Sequence, residues 1–149
     1  MQRYRNWHLF CILLSSVALL VGCNRGPELA RLNGTVLLDG EPLMFGSVML
    51  QPESGQPALG RIQPDGSFTM STNNLNDGAM VGLNRIRISC YEGQNPDFGE
   101  DAIEQKGLGK LLVREIYAHY SSSDLSVEVV SGKNEPLVIK LTSEATSAE

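Results

Sequence analysis

Apolar and polar residues alternate along most of this chain. Leu32, Val36 and Leu38 share one face of a period-2 segment, opposite Arg31, Asn33 and Thr35. Val48 and Leu50 repeat the pattern, as do Phe68 and Met70 between Ser67, Thr69 and Ser71. Ile86, Ile88 and Cys90 face away from Arg85, Arg87 and Ser89. Two more runs follow, Leu125, Val127, Val129 and Leu137, Ile139, Leu141. Successive side chains of a strand point to opposite faces, so this is the signature of half-buried strands. Turn-forming residues punctuate the runs at Asp39-Gly40, Asp65-Gly66, Asp77-Gly78 and Ser131-Gly132-Lys133-Asn134, where Asp-Gly supplies the positive φ of a tight hairpin. With a weaker strand over 58–63, the spacing predicts an all-β, seven-stranded antiparallel sandwich of Ig-like layout.

Glu92–Asp124 breaks the rhythm. At 33 residues it is too long for an ordinary connection in a compact domain, so one long loop is expected before the sixth strand. Its first half, EGQNPDFGEDAIEQK, is acidic and punctuated by Gly and Pro. Its second half, GKLLVREIYAHY, suits a short helix or an irregular run packed across one end of the sheets. A long insertion on a rigid scaffold is a natural place for binding, and a flexible excursion is the alternative.

The first 22 residues have a different character. Arg3 and Arg5 precede an apolar run from Leu9 to Gly22, shorter than the ~20 apolar residues a spanning helix needs but suited to the helical core of a signal peptide. The run ends Leu20-Val21-Gly22-Cys23, which resembles the lipobox of bacterial lipoprotein precursors. The resemblance implies cleavage between Gly22 and Cys23 and a lipid on Cys23. Residues 1–22 are then a removed signal peptide, 23–30 a lipidated cysteine with a short tether, 31–142 the β domain and 143–149 a disordered tail. Asn24 to Leu29 span about 20 Å when extended, which keeps the domain near its membrane in the cell envelope.

Cleavage sharpens the charge. The whole chain carries −5; loss of Arg3 and Arg5 leaves 10 basic against 17 acidic residues, or −7. A nucleic-acid partner, which favours a basic domain, is not expected. Cys11 leaves with the leader and Cys23 takes the lipid. Cys90 therefore has no internal disulfide partner and reads as a small buried apolar residue.

The string GTVLLDGEPLMFGSVMLQPESG, followed by GRIQPDGSFTMST and DGAMVGLNRIRIS, resembles small bacterial lipoproteins with a carboxypeptidase regulatory-like, or transthyretin-like, domain. Gly34, Val36, Asp39, Gly40, Pro42 and Gly46 match its first block, and Asp65, Gly66, Phe68 and Thr72 its second. LVREIYAHYSSSDLSVEV matches the third, with Arg114 in place of the usual Pro and Asp124 in place of the usual Gly. The resemblance implies a transthyretin-like β-sandwich and no particular activity. Physically, Asp39-Gly40 turns the chain, Pro42 opens the next strand, Gly46 permits a close backbone approach, and Tyr117 is placed for a tyrosine corner.

Little chemistry is legible. With His8 in the leader, His119 is the single histidine of the mature chain, and imidazole metal sites want at least two ligands. Tyr117, His119 and Tyr120 mark a possible binding loop, but the iron-binding intradiol dioxygenases of similar fold use two histidines. The histidines and C-terminal Tyr-Arg-Gly-Ser of hydroxyisourate hydrolases are also missing. Ser121, Ser122, Ser123 and Asp124 are adjacent in sequence and read as turn residues, because a triad converges from separated positions. Glu92, Asp97, Glu100, Asp101 and Glu104 lack the spacing of a calcium loop. No catalytic residue, metal or cofactor is expected. The expected function is a lipid-anchored, non-enzymatic envelope module that binds a protein or glycan or plays a structural role. A small-ligand carrier with a pocket between the sheets, and an enzyme using the Tyr117/His119/Tyr120 loop, are the alternatives.

Overall fold

A computed structural model describes residues 28–98 and 107–143. The expected leader, its cleavage point at Gly22 and Cys23, and the tail beyond Ser143 lie outside the described residues, as do Glu100, Asp101 and Glu104. Among the described residues no helix is long and apolar enough to cross a membrane.

The described residues form ten strands: β1 (Leu29–Ala30), β2 (Asn33–Leu38), β3 (Glu41–Pro42), β4 (Ser47–Pro52), β5 (Ala58–Arg61), β6 (Ser67–Thr69), β7 (Ala79–Met80), β8 (Gly82–Ser89), β9 (Ser126–Val129) and β10 (Leu137–Leu141). Each alternating run overlaps one of the longer strands; the two-residue strands β1, β3 and β7 come in addition. They are too short to show a period. Leu29 and Ala30, expected in the tether, instead pair with Met80 and Ala79.

Two four-stranded sheets carry the fold. One places β4 between β5 and β8, with β9 beyond β8; the other has β2 at its centre, flanked by β10 and by β3 and β6. The expectation of antiparallel pairing throughout fails at one place. β10 runs parallel to β2, with Leu137 beside Gly34 and Leu141 beside Leu38. Alternation assigns faces but not neighbours, so this was not readable from the pattern. Val36, Phe68, Ile139 and Leu141 of one sheet join Val48, Leu50, Ile86 and Ile88 of the other in a single buried cluster. Chemically, each strand delivers its branched or aromatic residues to one side, and water is excluded between them.

The turns follow their residues. Asp39 (φ 52°) and Gly40 (φ 92°) both take positive φ, the two-residue hairpin geometry that Asp-Gly favours, and β3 folds back on β2. Pro42 therefore closes the two-residue edge strand rather than opening β4. Gly46 (φ 119°) lies against Ser89, where a Cβ would stand 2.5 Å from its carbonyl oxygen. Asn134 holds the β9–β10 turn by accepting from Val130 N–H and donating to Val130 C=O, both at 2.9 Å. Ser143, expected to begin the tail, donates its N–H to Asp39 at 3.0 Å.

The long connection is partly ordered by its own backbone. Tyr91 bridges Leu111, Glu92 N–H donates to Lys110 C=O, and the Glu92 carboxylate accepts the Lys110 N–H at 3.1 Å. A single helical turn, α1 (Glu115–Ala118), follows and packs against β8.

Candidate functional site

The expected binding loop does not converge. Tyr117 lies in α1 and is buried. Its hydroxyl is 3.2 Å from Thr142 Oγ1 and accepts the Thr142 N–H at 3.4 Å. It thus ties the loop to the end of β10, 25 residues downstream, rather than to the nearby loop backbone. Arg114 stacks over its ring at 5.8 Å. His119 leaves the helix in extended backbone (φ −130°, ψ 135°). Its side chain is 60 % exposed, with Glu115 3.9 Å away. Tyr120 turns the other way and lies under the Arg87 guanidinium, 5.3 Å from ring centroid to Cζ.

Neighbouring groups have local duties. Ser122 Oγ donates to Ile116 C=O at 3.0 Å, and Ser123 Oγ accepts from Leu125 N–H at 3.3 Å. These are turn contacts, and Ser122 Oγ also reaches the His119 carbonyl, at 3.4 Å. Among the described residues no cluster of His, Cys, Asp or Glu is arranged to hold a metal. Cys90 is fully buried, and burial pushes its thiol up to about 11.

A different concavity is built where β5 meets β6. These strands form a hairpin, yet β5 pairs with β4 in one sheet and β6 with β2 in the other. Leu59 and Ser71 exchange backbone hydrogen bonds of 2.8 and 3.0 Å, and Gln63 N–H donates to Ser67 C=O at 2.8 Å. Between these rungs Arg61 stands opposite Thr69, and no bridge forms there. The splayed hairpin leaves an open groove of about 600 Å³ on its outer side, closed at one end by residues 71–76.

That end is a rigid loop organised by Asp77. Its carboxylate accepts three successive backbone N–H groups, from Thr72 at 2.6 Å, Asn73 at 2.9 Å and Asn74 at 2.7 Å. These bonds stabilise the charged form, the Thr72 bond most, and hold Asp77 below its ordinary 3.8. Ser71 Oγ accepts the Asn76 N–H at 2.9 Å, with Asn76 at φ 60°. Thr72 Oγ1 donates to Gly78 C=O at 2.8 Å. The backbone N–H groups of Thr72, Asn73, Asn74, Asn76 and Asp77 are thereby engaged, while Asn73, Asn74 and Asn76 are exposed and line the groove with Leu75, which is 86 % exposed. In the sequence, Asp77-Gly78 looked like one more hairpin turn. Instead Gly78 (φ 101°) presses against the Ala30 backbone, where only a glycine fits. The run Ser-Thr-Asn-Asn-Leu-Asn-Asp was the available signal, since Asx-rich stretches form self-bonded loops.

No protein-family model matches the chain, and no curated protein or solved structure matches it.

Proposed function

We propose that this chain is a lipid-anchored, non-enzymatic binding module of the cell envelope, with its ligand held in the β5–β6 groove under the 71–76 loop. The observation that carries this is the loop itself. Asp77 fixes the backbone of residues 72–74 and Ser71 that of Asn76, so Asn73, Asn74 and Asn76 are presented with little further backbone entropy to lose. Groups left exposed and unbonded on a rigid scaffold favour recognition over packing. Anchoring rests on Leu20-Val21-Gly22-Cys23, preceded by basic and apolar residues, and a lipid on Cys23 makes the membrane the first partner.

The resemblance to carboxypeptidase regulatory-like lipoproteins agrees with two sheets sharing one core, and we read that arrangement as a seven-stranded transthyretin-like sandwich with three short edge additions. A carrier with a pocket between the sheets is disfavoured by how tightly that space is filled: Val36, Val48, Leu50 and Ile88 are each 0 % exposed.

Two measurements test the proposal. Mass spectrometry of the native N-terminus is expected to find a diacylated or triacylated Cys23; an intact Met1 or an unmodified Cys23 ends the anchoring reading. Capture of envelope material by the full chain is expected to fail when Asn73, Asn74 and Asn76 are all replaced by Ala, and to survive His119→Ala. The reverse result moves the site to the long loop.

A further inference from the structure

Strand β5 belongs both to the groove and to the outer face of its sheet. Its Arg61 lines the groove, and its Leu59 stands opposite Met49, which stands opposite Arg87 on β8. Arg85 lies two residues along β8 on the same face, about 7 Å away at strand spacing. Buried Val48, Leu50, Ile86 and Ile88 take the opposite face, so Arg61 and Arg85 project outward beside the groove's polar wall, while Arg87 is half-buried between Met49 and the Tyr120 ring.

Among the described residues Arg61, Arg85 and Arg87 have no carboxylate within 4.0 Å; the ion pair found there is His119–Glu115. Arg87 donates Nε–H and Nη2–H to the thioether of Met49, at 3.1 and 2.8 Å, a weak acceptor for a guanidinium. The hydroxyl of Tyr120 is buried, and the Arg87 guanidinium is the polar group beside it. On this face of β4, β5, β8 and β9 the one carboxylate is Glu128, opposite Leu83. An acidic chain has thus placed three arginines, none with a carboxylate partner among the described residues, on one side of one sheet, with Arg61 in the same groove lining as the three asparagines.

The geometry points to an acidic polysaccharide as the ligand of this surface. Carboxamides with a free donor and acceptor suit vicinal hydroxyls, guanidinium groups bind carboxylates in a fork, and exposed Leu59 and Leu75 cover the aliphatic face of a sugar ring. The overall negative charge does not oppose this at physiological salt. The Debye length is about 8 Å there, so each carboxylate bound along this face senses the nearest arginine rather than acids on the far side. The assignment rests on the groove being the binding site, and names its ligand class.

The test uses the full chain in detergent, titrated against immobilised polygalacturonate, its carboxyl-reduced neutral counterpart, and poly-L-glutamate. Binding to polygalacturonate is expected to weaken at least about tenfold on carboxyl reduction, and to weaken with rising salt. Arg61→Ala/Arg87→Ala is expected to lower affinity about tenfold and flatten the salt dependence. The Asn73/Asn74/Asn76→Ala variant is expected to lower affinity and leave the salt dependence unchanged. Thermal melts confirm that both variants fold. Equal binding to the reduced polymer overturns the assignment. So does tighter binding to poly-L-glutamate that is indifferent to the asparagines, which marks an acidic-peptide site. If the groove captures envelope material but polygalacturonate does not bind, the acidic-glycan assignment falls and the module reading stands.

Discussion

The carboxylate of Asp77 accepts the backbone N–H of Thr72 at 2.6 Å, and with its second oxygen it gathers the next two N–H groups. One side chain therefore substitutes for the ladder that the chain abandons after β6. Asp39 and Asp65 do similar work, each held below 3.8 first by a side-chain bond, from Ser143 and Ser67 respectively.

These three carboxylates set an acid limb. A carboxyl whose folded value is lowered contributes stability above its unfolded value, and that contribution disappears as pH falls through the folded value. The melting temperature is expected to drop as pH falls below about 3.8. Asp77→Asn keeps one acceptor oxygen and loses the other, so its curve should be shallower in that range than the wild-type curve. Identical slopes in circular-dichroism melts would remove Asp77 from this role.

Tyr117→Phe removes the hydroxyl that meets Thr142 and leaves the buried ring in place. A net hydrogen bond contributes about 1 kcal/mol, which is about 4 °C in a domain of this size. Tyr120→Phe, whose hydroxyl has only the Arg87 guanidinium beside it, is expected to cost less in Tm. Equal losses in the two variants would count against the Thr142 contact.

Cys90 is fully buried and its thiol is raised from 9.0 to about 11. Native protein should therefore resist alkylation of Cys90 by iodoacetamide at pH 8 and react once unfolded in urea. The linkage has the opposite sign to that of the aspartates. The unfolded thiol ionises first, so stability is full below pH 9 and declines as pH rises from there towards 11. Labelling in the native state at the unfolded rate would show that Cys90 is accessible.

Gly34→Ala tests the β2–β10 contact. Its backbone φ is ordinary, but a Cβ there overlaps the Leu137 carbonyl oxygen and comes within 2.8 Å of Phe68 Cζ. Backbone must move, at a cost of about 3 kcal/mol. Leu50→Ala, at the other side of the core, is expected to lose about 2–5 kcal/mol by leaving a cavity. Urea melts give both numbers, and a Gly34→Ala loss below that of an exposed substitution would contradict the close packing.

Local signals carried the strands and most turns. Leu32, Val36, Ile86 and Ile88 are buried where the period places them, because a sheet buries alternate residues whichever strands are neighbours. The site was less legible. Tyr117, His119 and Tyr120 are close in sequence, but a single helical turn that ends at Ala118 sends them three ways. The groove depends on β5 and β6 joining different sheets, a non-local fact with no pattern of its own. The Arg61–Arg87 relationship is likewise written only in the register across β4.

The parallel pairing of β10 with β2 also orders events during folding. Gly34 meets Leu137, 103 positions later, and closing a loop of that length costs about 4 kcal/mol of chain entropy. Until residue 141 is in place, one edge of β2 stands open, with its N–H and C=O groups available to any passing strand. A nascent or truncated chain ending before Leu137 is therefore an aggregation hazard, and safe folding waits on the last strand.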